Sequence, residues 1–477
     1  MDKEKEEKLI HLFEEWSGSQ VEELTKLAGS GSNRQYYRIS GDNKTAIGVI
    51  GEDDQENETF LEFTSHFKKY DLNVPEVFAS NLEAKIYIQE DLGDVSLFDL
   101  VQKNGGSELT SEIQLLYKQS IHELIKFQVE AGKDLDFSYC FPRIDFDDQS
   151  KQWDLNYFKY YSLKFQNVLF HEERLEQDFR MIIQYLSKAE ANYFMYRDFQ
   201  TRNILVHNNK PYFIDYQGGR RGPLQYDLAS LLFQAKADLP YSFRQQMLEY
   251  YMDQLSEYIE VDRKEFTELY YGFVLLRTLQ VLGAYGFRGY YEKKPHFMES
   301  LSYAIKNVDW LLANVEFDLE IPELTKSLHL LSENYKTRQG KKTSKKLTIE
   351  INSFSFIYMG YPKDKSKHGG GFVFDCRSLP NPGRYDKYRQ LSGLDQPVID
   401  FLKKEPAVDS FNQSVSDIVC QAVDNYIDRN FDHLMINFGC TGGQHRSVFC
   451  AEKLYDKLKR KYDIKLDLNH LMKDKWS

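Results

Sequence analysis

The stretch that most constrains this chain runs from Tyr193 to Tyr216. Two short apolar runs, Ile204-Leu205-Val206 and Tyr212-Phe213-Ile214, follow a polar loop and bracket a turn. Runs this short read as strands, so the polar residues beside them sit on loops that an apolar framework holds still. Asp198 and Asn203 share the first loop, and Asp215 follows the second run. Phosphoryl transfer to a hydroxyl needs an acceptor-orienting base and hard oxygen ligands for a metal. Asp198 suits the catalytic base, and Asn203 and Asp215 suit Mg²⁺.

The surrounding pattern predicts two lobes. Residues 1–28 begin with an amphipathic helix. Gly29-Ser30-Gly31-Ser32 reads as a loop, Thr45–Ile50 and Lys85–Asp91 as strands, and Glu56–Tyr70 as a helix between them. From about Leu109 the pattern is helical to about Tyr335, apart from the loops above. Lys336–Lys346 carries six cations and almost nothing apolar, which predicts a basic linker over 333–347 with a solvated charge run. Beyond it, strand and helix patterns alternate, which predicts a smaller α/β domain over 348–477.

Composition narrows the function classes. The 477 residues carry a net charge of −12, but the chain from Lys336 onward holds 25 basic and 17 acidic residues. The acidic first part disfavours nucleic acid, and the basic last part permits phosphate contact. Lys457, Lys459, Arg460 and Lys461 read as a solvated helix face, with RNA as the weaker alternative. No apolar run approaches the ~18 residues of a membrane span. The acidic start lacks the apolar core of a secretory signal. Five cysteines without CxxC spacing exclude a disulfide framework, so a reduced, cytoplasmic setting without membrane contact is expected.

The run Tyr196–Val206, with Phe213–Gln217 and Gly222-Pro223…Tyr226-Asp227-Leu228-Ala229-Ser230-Leu231-Leu232, resembles the catalytic and metal loops of the aminoglycoside phosphotransferase superfamily. Its relatives of the AmgK type, anomeric sugar kinases, look most similar. The resemblance implies an α+β kinase-like two-lobe domain over 1–332, ATP and Mg²⁺ as cofactors, and a sugar hydroxyl as acceptor. It also implies a hinge at Gln89-Glu90-Asp91-Leu92-Gly93, where backbone groups from Glu90 to Leu92 meet adenine. Gly29–Ser32, with Gly31 and Ser32, reads equally as a turn that covers phosphates through its backbone N–H groups or as a plain hairpin turn. Asp227 is read as a structural helix cap. The family's third-strand lysine is missing from Thr45–Ile50. Lys44 or Arg34 could substitute, the sugar-kinase branch could tolerate the loss, or the domain could be a weak enzyme. Glu58 and Glu62 are candidate helix acids, and a pseudokinase used as a nucleotide sensor is the alternative.

A second turn, Cys440-Thr441-Gly442-Gly443-Gln444-His445-Arg446-Ser447, leads from an apolar strand into a helix. Glycines and a helix N-terminus favour an anion there. Cys440 and Arg446 have cysteine-phosphatase spacing. Four ordered blocks instead resemble the C-terminal domain of RapZ adapters: Ser353–Phe356, Val373–Pro382, Leu391–Asp395 and Gly439–Val448. That resemblance implies a phosphosugar effector such as glucosamine-6-phosphate, held by Arg377, Thr441, Gly442, Gly443, His445, Arg446 and Ser447. It implies self-association through this domain and RNA as a partner in a regulatory adapter. The usual Lys-His-Gly is replaced near Phe356–Gly360.

Overall fold

The computed structural model describes residues 2–27, 34–103, 109–292, 294–342, 346–364, 366, 370–429 and 431–476. The expected phosphate loop, with Gly31 and Ser32, lies outside them. The chain divides into two compact units, Met1–Ser332 and Glu333–Ser477.

The first unit opens with helix α1 (Asp2–Ser17) and strands β1 (Glu23–Lys26), β2 (Gln35–Gly41) and β3 (Lys44–Ile50). Helix α2 (Asp54–Lys69) follows, capped by Asp53, whose side chain accepts the Glu56 N–H. Strands β4 (Val77–Asn81) and β5 (Ile86–Gln89) complete an antiparallel sheet ordered β1-β2-β3-β5-β4. Alternation assigns its faces. Ile39, Ala46, Ile50, Ile86 and Ile88 pack against Leu9 and Phe13 of α1. Each fully buried Leu or Phe contributes roughly 1.5–3 kcal/mol. Gly48 is the point of closest approach, because a Cβ there would stand 2.6 Å from Leu9. The alternate residues Tyr36, Arg38, Ile47, Tyr87 and Gln89 line a cleft.

The helical lobe contains α3 (Leu97–Lys103), α4 (Ser111–Ile125), α5 (Asp148–Phe158) and α6 (Glu172–Leu186). The short strands β6 (Tyr193–Met195), β7 (Ile204–His207), β8 (Lys210–Phe213) and β9 (Arg220–Gly222) interrupt the helices as expected. β7 and β8 form a hairpin whose turn residues, Asn208 and Asn209, both have positive φ. That is the geometry asparagine tolerates best among non-glycine residues. Helices α7 (Leu224–Leu232), α8 (Tyr241–Leu255), α9 (Arg263–Gly286) and α10 (Pro295–Asn314) follow.

Helix α11 (Pro322–Lys342) departs from the expected linker, since residues 333–342 are helical. Its first turn is anchored twice. The Asp178 carboxylate accepts the Leu324 N–H at 2.7 Å, and Glu323 accepts the His171 N–H at 2.8 Å. Leu324, Leu328 and Leu331 are buried. Once nucleated there, the following Glu, Lys, Arg and Gln residues propagate the helix well.

The second unit has four parallel strands, β10 (Thr348–Ser355), β11 (Gly371–Asp375), β12 (His433–Cys440) and β13 (Lys465–His470), ordered β11-β12-β10-β13. β13 was not apparent in the sequence pattern. Helices α12 (Asp386–Arg389), α13 (Gln396–Lys403), α14 (Pro406–Asp428) and α15 (Arg446–Lys461) connect them. Ile349, Ile351, Leu434, Ile436 and Phe438 form a core with Val419, Val423, Leu454 and Leu458. An amide ladder pins the register. Asn469 donates to Asn352 at 3.2 Å, Asn352 to Asn437 at 3.0 Å, and Asn437 to the Phe372 carbonyl at 3.1 Å. A one-residue slip would leave the buried Asn352 and Asn437 amides unpaired.

Candidate functional site

A cleft of about 820 Å³ in the first unit is lined by Asp198, Asn203 and Asp215 together with Glu90 and Leu92. Asn203 joins the polar loops. Its Nδ2 donates to the Asp198 carbonyl at 2.9 Å and to Asp215 Oδ2 at 3.3 Å. The Ile214 N–H donates to the Asn203 carbonyl at 3.0 Å. With the amide nitrogen so committed, its oxygen is the hard donor a divalent cation would take. Asp215 keeps an exposed surface and lines the cleft. Protein packed around it desolvates the carboxyl and, with the Asp198 charge nearby, raises its pKa above the ordinary value. A bound cation would reverse that bias, so the two carboxylates and Asn203 fit a divalent metal.

Asp227 does not cap its helix. It lies in the first turn of α7, fully buried, and accepts the backbone N–H groups of Tyr196 at 2.7 Å and Arg197 at 2.8 Å. Burial pushes its carboxyl up to about 7 against those hydrogen bonds. Arg197 and Asp215 both have left-handed backbones, with φ +75° and +70°. Non-glycine residues keep that conformation only where surrounding contacts enforce it.

At the hinge, the Glu90 N–H donates to the Glu76 carbonyl at 2.8 Å. The Glu90 carbonyl and the Leu92 N–H could meet a purine edge. Arg38 braces this segment through Asp91 and Asp94, with contacts of 2.7–3.0 Å. The helical-lobe wall is cationic, with Arg202, Lys236, Arg277 and Arg288 lining the cleft beside Tyr157 and Tyr285.

Lys44 is not a cleft residue. Its ammonium donates to the Ser17 carbonyl at 2.7 Å and lies 5.3 Å over Trp16. Glu58 and Glu62 are both exposed, and the acid of α2 that reaches the cleft network is Glu56. Sequence spacing alone does not separate Glu56 from Glu58 and Glu62, because only the structure shows that Phe60, one helical turn after Glu56, lines the cleft.

In the second unit the turn after β12 sits where β10, β11 and β12 end, with Ser355 opposite Cys440 and Asp375 opposite Gly439. Strand ends of a parallel sheet are where such folds bind ligands. Gly443 has φ +70°, and a Cβ there would press on Met472. Much of the expected anion set is turned inward. Arg446 is 4 % exposed and donates to the carbonyls of Arg377 at 3.0 Å and Leu379 at 3.1 Å, and to the Thr441 hydroxyl at 3.2 Å. His445 Nε2 pairs with the Tyr388 carbonyl at 2.9 Å, and burial lowers its pKa. Ser447 is buried against Cys440 Sγ at 3.1 Å, which also accepts the Gly443 N–H at 3.2 Å. Thr441, Gly442 and Arg377 are exposed, with Arg377 paired to Asp375 at 2.6 Å.

Residues 23–261 match the phosphotransferase enzyme family, and residues 347–473 match the RapZ C-terminal domain. The chain belongs to the phosphotransferase enzyme family. It combines that family's kinase-like fold with a RapZ C-terminal domain built on a parallel sheet. A nucleotide-binding protein of Idiomarina loihiensis is 34 % identical over 179 residues, covering 38 % of this chain and 60 % of the relative. The RNase adapter protein RapZ of Yersinia pseudotuberculosis is 39 % identical over 139 residues, 29 % of this chain and 47 % of that protein. The chain thus spans about half the length of the curated relatives it matches. Among solved structures, an AMP-bound spectinomycin phosphotransferase is 14 % identical with a TM-score of 0.44, covering 68 % of this chain and 97 % of that one. A choline kinase of Cryptosporidium parvum is 12 % identical with a TM-score of 0.44, covering 65 % and 93 %. Among the described residues no helix is long and apolar enough to cross a membrane.

Proposed function

We propose that the first unit transfers the γ-phosphoryl group of Mg·ATP to a hydroxyl of a small polyol, best a sugar or amino sugar. The observation that carries this is the convergence of Asp198, Asn203 and Asp215 on one cleft floor opposite the hinge. Asp198 accepts the acceptor's proton, and Asn203 and Asp215 would hold Mg²⁺, which would supply positive charge to offset that of the phosphates. Arg202, Lys236 and Arg288 favour an acceptor that also carries an anionic group. The RapZ-type domain reports a phosphosugar such as glucosamine-6-phosphate to the kinase, through the exposed Arg377, Thr441 and Gly442, and supports self-association. Five free, buried cysteines suit a reduced, cytoplasmic setting. The deciding experiment is ATP turnover against a panel of hexoses, N-acetyl amino sugars and sugar acids, with the phosphate position read by ³¹P NMR. Absence of turnover on every acceptor would reject the kinase reading.

A second reading is a regulatory RNA- or protein-binding adapter in which the kinase-like unit senses nucleotide. The similarity of residues 347–473 to an RNase adapter's domain favours it. Tight, salt-insensitive RNA binding without phosphoryl transfer would select it.

A further inference from the structure

The cleft needs a cation on its sheet side to offset nucleotide phosphates, and β3 supplies none. Ile47 and Val49 alternate with Ala46, Gly48 and Ile50, and Lys44 points to α1. Two sheet-side cations line the cleft among the described residues, Arg34 and Arg38. The Arg38 fork is taken up by Asp91 and Asp94 at the hinge.

Arg34 is placed differently. It directly precedes β2, is 4 % exposed, and lines the cleft that holds Asp198, Asn203 and Asp215. Its Nη2 donates to the Glu56 carbonyl at 3.0 Å and lies 3.6 Å from Glu56 Oε1. The guanidinium lies 5.7 Å from the Phe60 ring centroid. Gln217 continues the chain. Its Nε2 lies 3.3 Å from Glu56 Oε1 and donates to Asp215 Oδ1 at 2.7 Å. A cation at the entry of β2, an acid on α2, an amide and the proposed metal carboxylate thus form one connected series.

We propose that Arg34, held by Glu56, is the residue that grips the nucleotide phosphates in this chain, a task moved from the third strand to the entry of the second. This rests on the phosphotransferase reading above. Holding a guanidinium in a buried cleft is costly unless charge meets it there. Glu56 meets that charge from 3.6 Å, and a phosphate oxygen pair would meet it more closely. A planar fork engages two oxygens at once, where an ammonium acts as a point charge. The Glu56–Gln217–Asp215 series then couples the phosphate cation to the metal carboxylate, so Glu56 is a positioning residue.

The test measures Mg·ATP and adenosine binding to the full chain by calorimetry. Arg34→Ala should weaken Mg·ATP at least about tenfold, as expected for loss of a charged hydrogen bond, and adenosine less than about twofold. Arg34→Lys should recover only part of the ATP affinity, and Lys44→Ala should change neither ligand. Glu56→Gln should weaken Mg·ATP while leaving adenosine unchanged. A folded Arg34→Ala protein that keeps wild-type ATP affinity, or loses both ligands equally, overturns the assignment. Should Arg34→Ala fail to fold, Arg34→Lys decides, and full ATP affinity there overturns it. Wild-type protein that binds no Mg·ATP rejects the phosphotransferase reading along with it. Wild-type ATP binding that Arg34 variants do not alter rejects Arg34 alone.

Discussion

Asp227 accepts the backbone N–H of Arg197 at 2.8 Å from inside helix α7, directly behind the loop that carries Asp198. With the Tyr196 N–H on its other oxygen, this carboxylate enforces the left-handed turn at Arg197. Asp227→Ala strands two buried donors, each costing about 1–3 kcal/mol. Chemical denaturation should show a destabilisation of that order, with turnover falling even where Mg·ATP affinity survives.

The same group predicts a pH dependence. Its folded pKa of about 7 lies above the ordinary aspartate value of about 4. Between those values the folded protein holds a proton that the unfolded chain releases. The contribution of Asp227 to stability is therefore full below about pH 4 and is lost as pH rises through 7. Urea denaturation across pH 4.5–7.5 should show this slope in the wild type and a smaller one in Asp227→Asn. Equal slopes would place the pKa elsewhere.

Asp198 and Asp215 should separate in kinetics. Asp198→Asn removes the proton acceptor and should reduce turnover by about 10²–10⁴ while Mg·ATP binding persists. Asp215→Asn removes a metal ligand and should weaken Mg·ATP itself. Unchanged turnover in Asp198→Asn, on an identified acceptor, rejects the base assignment.

The acceptor wall gives a third contrast. Arg202→Gln combined with Arg288→Gln should raise the acceptor KM about tenfold and leave the ATP KM within about twofold, since a charge-assisted contact is worth more than one neutral hydrogen bond. Added salt should raise the wild-type acceptor KM and have less effect on the variant. A neutral acceptor preferred by both proteins would show that the cations serve another purpose.

The triad Asp198, Asn203 and Asp215 was legible in sequence because its members lie on loops pinned by adjacent short strands, so spacing fixes geometry. Asp227 was misread as a helix cap because the donors it serves are some thirty residues away in the chain. Periodicity places residues on faces but does not say which face meets the cleft, and so Glu58 and Glu62 were weighed where Glu56 is used. The linker prediction read charge without the anchor that Asp178 provides from another helix. In the β12 turn, residue types suggested an anion site. Sequence could not show that Arg446 Nη1 and the His445 ring are spent on neighbouring carbonyls.

That inward arrangement separates structure from ligand in the RapZ-type domain. Arg446 bonds three oxygens from a buried position, so Arg446→Ala leaves several acceptors unpaired. It should cost a few kcal/mol of stability, at about 1–3 kcal/mol per orphaned group. Arg377 is half exposed and tied only locally to Asp375 in the same turn, with its guanidinium 4.1 Å from the Phe356 ring centroid. Arg377→Ala should leave stability within about 0.5 kcal/mol, the usual range for surface substitutions. Its effect should fall on glucosamine-6-phosphate affinity, read by calorimetry on the full chain, with a loss of about tenfold. Cys440→Ser keeps a small hydrogen-bonding side chain at the same buried spot and should leave binding largely intact. Hydrolysis of an aryl phosphate by the wild type that disappears in Cys440→Ser would make Cys440 a nucleophile and overturn the ligand-binding reading of this turn.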